Sequence, residues 1–174
     1  MSAEESIIAS YQLDITVDHN QFFLEDCDYD QRLENLDITW STDTWYDEDA
    51  LARHLGVTPG TLCIFTARWY GEVQLEVIVR SNQPDDILTG WDNVAEASIE
   101  VPTGCVVVHA AEDDIDVSPR FALLPDTYRA RVYAGGVETV DEYMQDGQDQ
   151  YRVVLWPAPY AAPTLLYSAI DHPW

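Results

Sequence analysis

Val73-Gln-Leu-Glu-Val-Ile-Val79 places Val73, Leu75, Val77 and Val79 on one face and Gln74, Glu76 and Ile78 on the other. A period of two marks a strand with one face on a core and the other toward water. The alternation recurs at Ala95–Val101, where Ala95, Ala97, Ile99 and Val101 alternate with Glu96, Ser98 and Glu100. It recurs again at Tyr128–Tyr133, where Tyr128, Ala130 and Val132 alternate with Arg129, Arg131 and Tyr133. Runs at Gln12–Val17, Gln21–Glu25, Thr61–Arg68, Cys105–Ala110, Arg120–Leu124 and Gln150–Trp156 read as further strands. The separators Trp69-Tyr70-Gly71, Pro102-Thr103-Gly104 and Leu124-Pro125-Asp126-Thr127 carry turn-forming residues. Short strands at this spacing predict an all-β fold, an antiparallel β-sandwich of about nine strands.

One segment departs from the pattern. Thr44 is placed to cap a helix over Trp45–Leu55, with Asp47, Glu48 and Asp49 in its first turn, where negative charge suits the helix dipole. Leu51 and Leu55 are spaced for one buried stripe, and Gly56 is a natural stop. The segment is expected to be a short crossover helix. At 174 residues the chain is long enough for one domain with a real core. That domain is expected over 11–174, after a disordered or extended N-terminus at 1–10. Prolines at 157, 159 and 163 exclude a central strand from the tail, 157–174, which is expected to run extended before a last edge strand at Leu165–Ile170.

Charge sets the function classes. The chain has 32 acidic and 8 basic residues, a net charge of -24, and no lysine. Such a surface repels nucleic acid and anionic membrane and attracts a basic protein. Residues 25–49, 112–116 and 138–149 carry net charges of -9, -4 and -5, so three segments hold -18 of the total. Spread over the roughly 8,600 Å² expected for this mass, the charge amounts to about one per 360 Å². Duplex DNA carries about one per 107 Å². The average is about threefold too dilute to imitate DNA, and imitation needs the three segments to converge.

No motif points to catalysis: there is no G-x-S-x-G, and His19, His54, His109 and His172 lack metal-ligand spacing. No enzyme activity, catalytic residue, metal or cofactor is expected. His109, in an apolar run, reads as a core or edge residue. Asp26-Cys-Asp28-Tyr-Asp30 has D-x-D-x-D spacing, but Gln31 and Asp37 stand where an EF-hand wants glycine and glutamate. Cys27, Cys63 and Cys105 are far apart and odd in number, which reads as buried free thiols in a reducing cytoplasm. No basic leader and no long apolar run accompany them, so a cytoplasmic location is expected. Trp69 and Tyr70 in a turn, and Tyr133 on a polar strand face, are expected to be exposed; exposed aromatics are typical anchors of protein interfaces.

Several short motifs occur in a suggestive order. His19-Asn-Gln-Phe-Phe-Leu24 comes first, followed by the strand pair in Thr61–Val79. Trp91–Val101 with Glu-Ala-Ser-Ile-Glu-Val leads into Pro-Thr-Gly and Val-Val-Val. Phe121-Ala-Leu-Leu-Pro125, Thr127-Tyr-Arg-Ala-Arg-Val-Tyr133 and Tyr151-Arg-Val-Val-Leu-Trp156 complete the series. The order resembles the competence protein J (Nin) family, whose members inhibit the DNA-entry nuclease NucA; similar proteins are immunity partners of nuclease toxins. The resemblance spans about residues 11–157. Asp126 follows Pro125 where the family often has glycine, and the helix-bearing 27–57 segment and the tail are not clearly matched.

Together these readings predict a non-enzymatic acidic protein that inhibits a basic partner, namely a nuclease or toxin domain. The expected partner-binding residues are Asp28, Asp30, Asp47, Glu48, Asp49, Trp69, Tyr70, Glu112, Asp113 and Asp114. Two other readings stand beside this one. The acidity is a halophile-type adaptation on a domain of unrelated binding function, or the fold is a calcium- or sugar-binding sandwich with carboxylates such as Asp116 in its loops.

Overall fold

Val73, Leu75, Val77 and Val79 are buried, whereas Glu72 and Gln74 are exposed. They belong to β5 (Tyr70–Arg80), which pairs antiparallel with β1 (Ile7–Asp18) from Ile7↔Arg80 to Asp18↔Tyr70. This is a computed structural model, which describes residues 6–29 and 45–171. The remaining strands are β2 (Gln21–Asp26), β3 (Leu55–Thr58), β4 (Thr61–Phe65), β6 (Asn93–Val101), β7 (Cys105–His109), β8 (Arg120–Ala122), β9 (Asp126–Gly135), β10 (Gln150–Pro157) and β11 (Thr164–Ser168). One helix, α1 (Glu48–Arg53), is present among the described residues that form regular helix of at least six residues.

The sheet order is β11-β6-β9-β10-β5-β1-β2-β4-β3, with β7 paired to β2 and β8 to β7. β10 and β5 run parallel; the other pairings are antiparallel. The expectation of an antiparallel sandwich of about nine strands is therefore corrected to a mixed sheet curled into a half-barrel. The turn between β3 and β4 meets β6 where the Glu100 N–H donates to the Pro59 carbonyl at 2.7 Å. Alternation reveals that a strand has one buried face. It does not reveal whether the facing layer is a second sheet or the far end of the same one. One core fills the curl, with Phe22, Leu24, Leu62, Leu75, Ile99, Val106, Ala130, Val153 and Leu155 fully or almost fully buried.

The outer face of β6, β9 and β10 is also covered. Arg129, Arg131 and Tyr133 occupy the alternate positions of β9, and all three are buried. The expectation that Tyr133 is exposed is thus overturned: Trp91 lies 5.2 Å from its ring, and its hydroxyl donates to Asp86 Oδ2 at 2.5 Å. Glu96 accepts from Arg129 Nε at 3.1 Å and from Arg131 Nε at 2.7 Å. The proline-rich tail crosses above, where Arg129 donates to the Ala161 and Ala162 carbonyls. Paired charges are tolerated under such a cover because each keeps its hydrogen bonds.

Two local expectations change. The helix is shorter than predicted and starts from Asp47, whose side chain accepts from the Ala50 N–H at 2.7 Å; Thr44 lies outside the described residues. His54, in the left-handed region at φ 56°, ends it. Leu55 has already entered β3, and Leu51 is exposed, so the two form no helical stripe. Gly56 is needed for close packing instead: a Cβ there would sit 2.8 Å from the Trp45 carbonyl oxygen. Cys27 and Cys105 form a disulfide that joins the end of β2 to the start of β7, which corrects the reading of three free thiols. Cys63 is the buried free thiol, and burial pushes its pKa up.

Candidate partner-binding surface

Among the described residues, four arginines are paired with acids, and of these Arg68, Arg129 and Arg131 are buried. Arg68 pairs with Asp149, Arg129 and Arg131 share Glu96, Arg131 also reaches Asp86, and Arg152 pairs with Glu76. Arg120 donates to the carbonyls of Ile115 and Asp116. Some acids are internal too: Glu25, Asp26, Glu96 and Asp149 are buried. Thr61 donates to Glu25, and Thr103 donates to Asp26 through both its N–H and its hydroxyl. Asp149 therefore lends no surface charge to the 138–149 segment. The first carboxylate of the D-x-D-x-D run is likewise spent on a turn.

Asp28 is exposed just beyond the disulfide, near the end of β2, and Asp30 lies outside the described residues. Asp47, Glu48 and Asp49 are exposed at the start of α1, which packs against β3, β6 and β11. Behind them Trp45 lies against Phe23 on β2, and Tyr46 stacks on Phe65 of β4 while donating to Gln21. Glu112, Asp113 and Asp114 are exposed in the loop after β7. Asp113 holds that loop by accepting from the Ala110 N–H at 2.7 Å. Asp113 and Asp114 line a cavity of about 220 Å³ together with Asp14 of β1. At the base of the same loop His109 stacks on Phe23 and lies 3.9 Å from Glu25. Burial opposes its protonation, but Glu25, the Ala110 carbonyl and Asp113 outweigh burial and raise its pKa.

Trp69 and Tyr70 are exposed, at 44% and 55%. Three loops meet around them. In the turn between β1 and β2, the Asn20 N–H donates to the Trp69 carbonyl and the Thr66 N–H to the Asn20 carbonyl. The His19 ring lies 5.1 Å from Trp69. On the other side the Trp69 N–H donates to the Met144 carbonyl at 2.7 Å. Beneath them lies a buried knot. Arg68 binds Asp149 at 2.6 Å and donates to the carbonyls of Gln145 and Gly147. The Tyr151 hydroxyl donates to Asp149 and accepts from the Ala67 N–H, and burial beside that carboxylate raises its pKa well above the ordinary value. Asp141 accepts from the N–H groups of Gln145 and Asp146, which lowers its pKa.

Next to this platform is a polar cavity of about 550 Å³ walled by Asp14, Glu72, Gln74 and Asp146, with Arg68 and Asp149 among its lining. Asp14 is common to this cavity and to the one under Asp113, so β1 links two of the acidic segments. The sequence reading missed Asp14, Glu72, Tyr143 and Met144. Each is ordinary in sequence and gains significance only from loops far apart in the chain. Among the described residues no group of three His, Cys, Asp or Glu side chains is arranged to hold a metal ion, and no helix is long and apolar enough to cross a membrane.

No protein-family profile matches this chain, and no curated protein matches its sequence. Two solved structures are similar to it. One is ComJ from Bacillus subtilis, an inhibitor of the DNA-degrading activity of NucA, with a TM-score of 0.59 and 14% identity, covering 87% of this chain and 98% of that one. The other is the product described as crocagin biosynthetic gene J, with a TM-score of 0.54 and 17% identity, covering 87% of this chain and 100% of that one. The resemblance to the competence protein J family thus holds in three dimensions, as a shared fold at low sequence identity.

Proposed function

We propose that this chain is a non-enzymatic inhibitor of a basic nuclease or nuclease-toxin domain. The observation that supports this most is the fold it shares with ComJ over nearly the whole of that inhibitor. The chemistry agrees with it. A nuclease presents a positive groove to phosphates, and a surface on which Arg68, Arg129, Arg131 and Arg152 are already paired with acids offers that groove carboxylates with less competing base. Asp28, Asp30, Asp47, Glu48, Asp49, Glu112, Asp113 and Asp114 are the proposed acidic contacts, with Trp69 and Tyr70 as anchors. The Cys27–Cys105 disulfide removes the thiol argument for a reducing cytoplasm. Such bonds persist mainly in oxidising compartments, which favours one for this chain. Calorimetric titration against purified basic DNases, NucA included, tests the proposal. Binding that weakens with salt is expected. No heat with any DNase, alongside a correctly folded chain, counts decisively against it.

A further inference from the structure

We infer that the partner docks on the three-loop platform around Trp69, with the acid-walled cavity beside it receiving an arginine or lysine side chain of a basic protein. This deepens the inhibitor reading and rests on it for the identity of the partner. Four large side chains are exposed on the segments that meet there: Trp69 at 44%, Tyr70 at 55%, Tyr143 at 69% and Met144 at 39%. They come from two stretches of chain far apart in sequence, bridged by the Trp69–Met144 hydrogen bond. Aromatic and methionine side chains ringed by polar groups are the composition of an interface centre.

The backbone there is constrained. His19, Asn20 and Met144 have φ of 53°, 58° and 54°, three of the four non-glycine residues in the left-handed region among those described. At His19 and Asn20 this suits a tight hairpin turn. Met144 has no such local reason, since an unbranched apolar side chain gains nothing from that conformation. It is held by its carbonyl bond to Trp69, by Asp141 accepting from the next two N–H groups, and by Arg68 gripping Gln145 and Gly147. The surface is thus pre-organised, and less ordering entropy is lost on binding.

Charge selects the occupant. Asp14, Glu72 and Asp146 wall the neighbouring cavity, while the one arginine lining it, Arg68, is already bound to Asp149. A cationic side chain entering the cavity meets unbalanced carboxylates, and an anionic one is repelled. Guanidinium also stacks on tryptophan and tyrosine faces. A basic protein surface satisfies both the aromatic and the acidic parts of this site.

The test is an NMR titration of the intact, oxidised chain with nona-arginine as the basic probe. The Trp69 indole N–H and the amides of 68–72 and 143–147 are expected to move. Trp69→Ala with Tyr143→Ala should weaken binding about tenfold, while Asp85→Asn with Glu100→Gln, exposed acids outside the proposed contacts, changes it less than about twofold. Both pairs are exposed, and circular dichroism checks the fold. Perturbations centred on 112–116 or on α1, with the Trp69 indole unmoved, overturn the inference. A NucA assay separates the two levels. Inhibition unaffected by the Trp69/Tyr143 variant overturns the platform and keeps the inhibitor reading. Docking of nona-arginine on the platform without inhibition of NucA or any tested DNase does the reverse.

Discussion

His54 shows how much one residue carries. It ends α1 in the left-handed region, is buried, and has its pKa pushed down to about 4 by that burial. The unfolded chain takes up this proton near the ordinary 6.5, before the folded chain does. Folding stability therefore falls as pH drops from about 6.5 to about 4, by about 3 kcal/mol from this group. His109 works in the opposite sense. Its raised pKa contributes stability that is present below 6.5 and lost as pH rises through its folded value. Denaturant unfolding of His54→Asn across this window should show a flatter acid limb than the parent, because asparagine tolerates the left-handed backbone and does not titrate. An unchanged slope would show that other groups govern the acid limb. Arg68 gives a second prediction at this scale. Arg68→Ala strands the buried Asp149 carboxylate and releases the loop at 141–149, so unfolding should show a loss of about 3–5 kcal/mol.

Among the elements, the disulfide is the most direct test. Cys27 and Cys105 close a loop with a sequence separation of 78 and hold the end of β2 against the start of β7. Replacing both by serine should cost about 2–4 kcal/mol in denaturant unfolding, and reduction of the parent should give a similar loss. Equal stability of the oxidised and reduced chains would show that the strand pairing alone holds β2 to β7. The bond was illegible in sequence because pairing depends on the β2–β7 register, which brings positions 27 and 105 together. The strands themselves were legible where alternation was clean, as at Val73–Val79 and Ala95–Val101. Alternation misled at Tyr133, Arg129 and Arg131, where polar positions lie under the tail and are satisfied by Glu96 and Asp86. It also gave no sign of β3, a four-residue strand recorded in sequence only as the end of a helix. The parallel pairing of β5 with β10 is invisible to periodicity, which reports a face and not a direction.

At the scale of the whole molecule, net charge is a weaker guide than its placement. The -24 of the sequence includes carboxylates consumed in the interior, where Arg68, Arg129 and Arg131 are paired with them. What remains outside is acid with little base, gathered in part around β1 beside an exposed aromatic platform. Trp69 and Tyr70 were legible as exposed turn aromatics, whereas their companions Tyr143 and Met144 became visible only through the fold. Association with a basic partner should therefore be fast at low salt and slow steeply as salt rises, because screening acts on exposed charges. The most direct measurement is DNA degradation by NucA as this chain is added at low and at high salt. The account predicts a dose-dependent block whose onset is slower at high salt. Undiminished degradation at both salts, with the folded chain in excess, would contradict it.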